Sequence, residues 1–69
     1  MTKYSFYVDD YIGHGKGFAL ANSAREAAEN ICEARGLGKI KGWYITGSSN
    51  AEYYKTVFGY EIELKVANG

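Results

Sequence analysis

The feature that most constrains this chain is a change of hydrophobic period at Ser23. Ser23, Ala24, Arg25 and Glu26 form a capping box, in which the Ser23 hydroxyl takes the amide of Glu26 and the Glu26 carboxylate reaches back to the amide of Ser23. Beyond it Ala24, Ala27, Ala28, Ile31 and Cys32 recur at three- and four-residue spacing, while Arg25, Glu26, Glu29, Asn30 and Glu33 hold the opposite side. Gly36 can take the left-handed stop position, with Leu37 folding back on Ile31 or Cys32. The spacing predicts a helix over residues 24–35, about three turns long. Its buried stripe is mostly alanine, so it can sit close on a sheet.

On either side of the helix the period is two. Tyr4, Phe6 and Val8 alternate with Ser5 and Tyr7, which predicts a first strand over residues 3–8. Residues 9–17 collect Asp9, Asp10, Gly13, Gly15 and Gly17 and read as a wide hairpin loop. Phe18 and Leu20 then carry a short second strand to about residue 21. After the helix, residues 39–46 are β-rich with Ile40, Trp43, Tyr44 and Ile45 on both faces. Residues 47–50 form a polar turn. Residues 53–66 read as one long fourth strand, whose second half sets Tyr60, Ile62, Leu64 and Val66 against Glu61, Glu63 and Lys65, with a bulge or bend at Gly59.

Sixty-nine residues hold one domain, 1–69, and one small core, so the order β-β-α-β-β must close on itself as an α+β fold. Short connections make the helix antiparallel to strands two and three, which are then parallel to each other; strands one and four are parallel as well. The right-handed crossover rule places strands one and four in the middle of a four-stranded mixed sheet of order 2-1-4-3, with strand three at an edge. The expected inner register is Tyr4, Phe6, Val8, Phe18, Leu20, Ile62 and Leu64 against Ala27 and Ile31. The uncovered face is expected to show Ser5, Tyr7, Lys55, Glu61, Glu63, Lys65 and one of Trp43 or Tyr44. This element order resembles the β-grasp layout of immunoglobulin-binding domains of the protein G type.

Composition narrows the function classes. Eight basic and eight acidic residues give zero formal net charge, without the electrostatic footprint of a general nucleic-acid binder or of an acidic nucleic-acid mimic. One cysteine excludes an internal disulfide. No apolar run approaches a membrane span and the N-terminus lacks a signal peptide's regions, so a cytoplasmic location without membrane contact is expected.

The chemistry-bearing motifs are thin. Gly13 to Gly17, with His14 and Lys16, has the glycines of a phosphate cradle but leads into a strand instead of opening a helix. His14 with Asp9 and Asp10 falls short of the three or four ligands of a metal site, so no metal and no cofactor is expected. Cys32 lacks a base and an orienting group and reads as a small buried hydrophobe. Glu61 and Glu63 read as a solvated strand face, and no catalytic set can be assembled, so no enzyme is expected.

What remains is aromatic. With only fourteen Leu, Ile, Val and Phe, the core must draw on the seven tyrosines and Trp43 as filler, some of these rings are expected at the surface, and Tyr and Trp are the residues that protein interfaces enrich. The candidate partner-binding residues are Trp43, Tyr44, Tyr53 and Tyr54, with Lys39 and Lys41 steering an acidic partner at the rim. Tyr11, His14 and Lys16 of the first loop are the secondary candidates. In size, element order, polar helix face and absence of chemistry the chain resembles the small phage and mobile-element proteins that include anti-CRISPR inhibitors. That resemblance implies an inhibitor that binds a subunit of a bacterial defence effector complex. The alternative is a small single-strand nucleic-acid-binding protein using the Lys39 to Tyr44 strand.

Overall fold

The computed structural model describes residues 1–10, 13–45 and 50–67. The elements run β1 (Thr2–Asp10), β2 (Gly13–Ala21), α1 (Ala24–Arg35), β3 (Ile40–Ile45), β4 (Glu52–Thr56) and β5 (Glu61–Val66). The protein is a small α+β domain: one helix on one face of a five-stranded antiparallel sheet of order β2-β1-β5-β4-β3.

The helix forms where the sequence places it. Ser23 is its N-cap, with the Glu26 amide donating to Ser23 Oγ at 3.1 Å. The Glu26 carboxylate closes the box one residue earlier than expected, accepting from the amide of Asn22 at 3.4 Å. Gly36 caps the other end at φ 65°, and the amide of the buried Leu37 donates to the Cys32 carbonyl at 3.0 Å. Ala24, Ala27, Ala28, Ile31 and Cys32 bury against Tyr4, Val8, Ala21, Tyr54, Ile62 and Leu64 of the sheet.

The sheet departs from expectation at Gly59. The four-stranded mixed sheet of order 2-1-4-3 is replaced by five antiparallel strands, because residues 53–66 are a hairpin and not one strand. The Gly59 amide donates to the Thr56 carbonyl at 3.0 Å and the Thr56 amide to the Tyr60 carbonyl at 2.9 Å, with Gly59 at φ 92°. This is a three-residue hairpin loop whose closing position needs a left-handed residue. Val57 and Phe58 occupy turn positions at negative φ, which any residue can adopt, so strand-forming side chains carry the apolar pattern through a reversal. The expected strand directions survive only in part: β5, the second half of the expected fourth strand, pairs with β1 antiparallel and not parallel. With every neighbouring pair antiparallel, β2 and β3 run the same way at opposite edges and β1 and β4 run the other way, with β5 inserted between them.

The second correction concerns β2. Of the stretch expected as a wide loop, residues 9–10 and 13–17 are paired strand, in unbroken register from Thr2 opposite Ala21 to Asp10 opposite Gly13. That register sets Phe18 beside Ser5 and Leu20 beside Lys3, so both expected core residues lie on the face away from the helix, 64% and 63% exposed. The helix side of β2 is made of Gly15, Gly17, Ala19 and Ala21. Neighbouring side chains fill the space beside these glycines: the Arg35 guanidinium lies against Gly15, where a Cβ would come within 2.7 Å of its Cζ and displace it, and the Phe6 ring stands in van der Waals contact, 3.4 Å from the Cβ position of Gly17.

Candidate protein-binding surface

With the helix on one side, no described element covers the other face of the sheet. The register assigns its residues: Lys3, Ser5 and Tyr7 from β1, Lys16, Phe18 and Leu20 from β2, Glu61, Glu63 and Lys65 from β5, Tyr53 and Lys55 from β4, and Tyr44 from β3. One row, Lys16, Tyr7, Glu63, Tyr53 and Tyr44, crosses all five strands. The expected Ser5, Tyr7, Lys55, Glu61, Glu63 and Lys65 are all on this face, and of the pair left open at Trp43 or Tyr44 it is Tyr44 that joins them.

The Tyr44 and Tyr53 rings stack with centroids 4.9 Å apart and planes within 10°. Each hydroxyl is tied to a carboxylate of β5: Tyr53 Oη donates to Glu63 Oε2 at 2.8 Å and Tyr44 Oη to Glu61 Oε2 at 2.9 Å. Each carboxylate also faces a lysine, with Lys55 Nζ 3.9 Å from Glu61 and Lys65 Nζ 3.8 Å from Glu63. Lys55 further caps the Tyr44 ring at 5.8 Å from its centroid. The hydrogen bond to Glu61, then partial burial and the Glu61 charge, push the Tyr44 hydroxyl above the usual tyrosine value. Both rings are thereby held in place, Tyr44 exposed and Tyr53 half-buried. At the opposite end of the face Lys3 Nζ stands 4.3 Å over the Phe18 ring.

The other sequence candidates separate. Trp43 is half exposed but lies on the helix side of β3, opposite Tyr54, and its Nε1 donates to Glu52 Oε1 at 3.0 Å. Tyr54 is a core residue, 3% exposed, and this corrects its assignment to the partner-binding set. Period two explains it: Tyr53 faces out, so Tyr54 must face the helix. Its hydroxyl donates to the same Glu52 oxygen at 3.1 Å, and burial together with the Glu52 carboxylate pushes it up to about 12. The four aromatics are thus not one patch: Tyr44 and Tyr53 are brought together on the open face, and Trp43 and Tyr54 on the helix side around Glu52. Lys39 and Lys41 are exposed at the start of β3, with Lys41 the extra residue where the register slips between Ile40 and Gly42. In the secondary set Lys16 is on the open face, His14 is a strand residue opposite Asp9, and Tyr11 lies outside the described residues, as do residues 46–49.

Phe18 and Leu20 are surface residues that the sequence reading missed, and the signal was the small-residue alternation of Gly15, Gly17, Ala19 and Ala21 between them. On the helix side a groove of about 590 Å3 between α1 and the start of β3 is lined by Arg25, Glu29, Cys32, Lys39 and Ile40. Burial, then the nearby Glu29 charge, push the Cys32 thiol up, which keeps it in its weakly nucleophilic neutral form. No protein-family model, curated protein or solved structure matches the chain.

Proposed function

We propose that this protein is a non-enzymatic binding module that acts by occupying the surface of another protein, with the open sheet face as its contact surface and Tyr44 and Tyr53 as its anchors. The observation that carries this reading is the stacked tyrosine pair on an uncovered face, with both hydroxyls fixed to carboxylates. Ordering an aromatic side chain on binding has an entropic cost, and rings already fixed in the free protein avoid most of it. The resemblance to small phage-encoded inhibitors of the anti-CRISPR type supplies the proposed target, a subunit of a bacterial CRISPR effector complex. The nucleic-acid alternative is less well supported: Glu61 and Glu63 stand among the stacking tyrosines, where a strand's phosphates would meet them, and the chain has no net positive charge.

A phage-plating assay tests the proposal. A host with an active CRISPR system is challenged with a targeted phage while expressing the protein. Wild type is expected to restore plating and a Tyr44→Ala, Tyr53→Ala double variant that remains folded is expected to lose that effect. No restoration by wild type in hosts covering the CRISPR types would refute the inhibitor reading, and an equally active double variant would refute the anchor assignment.

A further inference from the structure

The two edges of the sheet are unlike. β3 is blunted by the slip at Lys41 and by the neighbouring lysines, devices that discourage strand pairing. β2 keeps nine residues in straight register, presents Phe18 and Leu20 on the open face, and is an edge strand whose outer side pairs with no other strand among the described residues. The surroundings of that edge are basic. Lys3 covers the Phe18 ring, Lys16 precedes it on the same face, and Lys65 stands behind Ser5 in the Phe18 row. Between Lys16 and Phe18 lies a mainly apolar notch of about 420 Å3, floored by Ser5, Phe6 and Gly17. The acids on this half are Asp9, at the far end of β1, and Glu63, which already holds Tyr53 and Lys65.

We propose that the β2 edge takes an extended, acidic segment of a partner protein as a sixth strand, with alternate carboxylate side chains meeting Lys16 and Lys3 on the open face and the apolar residues between them turned to the helix side, beside Gly15, Gly17 and Ala19. The pleat enforces the alternation, since every second side chain of an added strand points to the open face. Charge selects the partner: an acidic strand complements the three lysines, whereas a second copy of this chain paired edge to edge would bring its own Lys3 and Lys16 against them. This rests on the open face being a protein contact surface, and it names the chemistry of what adds to one side of it.

The test is an amide-resolved NMR titration of the full chain with a capped octapeptide of alternating Glu and Val, and with its Lys and Val counterpart. Neither probe depends on the natural partner, so the outcome is separable from that of the plating assay. The acidic peptide is expected to shift the amides of residues 16–20. Its affinity should fall about tenfold between roughly 0.05 and 0.5 M salt and by a similar factor in Lys16→Glu. Should Lys16→Glu fold poorly, Lys3→Glu gives the same reading. No β2 shifts up to roughly 1 mM peptide, equal shifts with the basic peptide, or shifts confined to the Tyr44 corner would overturn the proposal. So would β2 shifts that track protein concentration without peptide, which would identify a second copy as the occupant.

Discussion

Tyr53 and Tyr54 are adjacent in sequence and opposite in role, and replacing each by alanine separates the two faces of the sheet. Tyr54→Ala removes a ring that is 3% exposed against the helix, a truncation that costs about 3–5 kcal/mol in well-packed cores. A domain of 69 residues at about 0.05–0.15 kcal/mol each has roughly 3–10 kcal/mol in total, so this variant loses between about a third and all of its stability. Tyr53→Ala loses the stack on Tyr44, about 0.5–1.5 kcal/mol, and one half-buried hydrogen bond to Glu63, about 1 kcal/mol. It should cost about 2 kcal/mol and leave a folded protein. Urea titration followed by far-UV circular dichroism and by the fluorescence of the single tryptophan measures both. Equal losses at the two positions, or a larger loss at Tyr53, would refute the assignment of faces. The result also guards the binding experiments, because lost binding in Tyr54→Ala would report unfolding and not a lost anchor.

Three further outcomes follow from the local geometry. Gly59→Ala is expected to cost about 1–2 kcal/mol of urea stability, since φ is 92° and nothing lies within 4 Å of the added methyl; an unchanged midpoint would remove the hairpin from this position. Ser23→Ala should cost about 1 kcal/mol through loss of the cap to the Glu26 amide, and a stability equal to wild type would place the helix start elsewhere. Stability should fall as pH rises from about 10 to about 12: the unfolded tyrosines release protons there that Tyr54, and in the same direction Tyr44, retain in the fold. In Tyr54→Phe that fall should be shallower, and an identical slope in both proteins would contradict the environment assigned to Tyr54.

The helix was legible to the residue because its signals are local: a cap, a stripe and a left-handed stop within fourteen positions. The outward register of β1 and β5 was legible for the same reason, and with it most of the open face. Gly59 was seen as a bend and not as a reversal because Val57 and Phe58 are strand-forming residues in a loop. Choosing between a bulge and a hairpin depends on whether β5 can fit between β1 and β4, which is a tertiary matter. β2 was misread for the opposite reason. Its glycines resemble loop residues, and that Arg35 and Phe6 fill the space beside Gly15 and Gly17 is visible only in the tertiary structure. Tyr44 and Tyr53 were identified singly, but their stacking follows from the β3–β4 register, which no periodicity in either segment fixes.

The most direct test of the central claim is the affinity of purified variants for a protein captured by wild type from bacterial lysate. Tyr44→Ala is expected to weaken that complex by about 2 kcal/mol or more, roughly thirtyfold in Kd, with the fold retained, as befits an anchor at a contact surface. An unchanged Kd in Tyr44→Ala and in Tyr53→Ala, with binding abolished instead by Trp43→Ala on the helix side, would place the contact on the other face of the sheet and contradict the account.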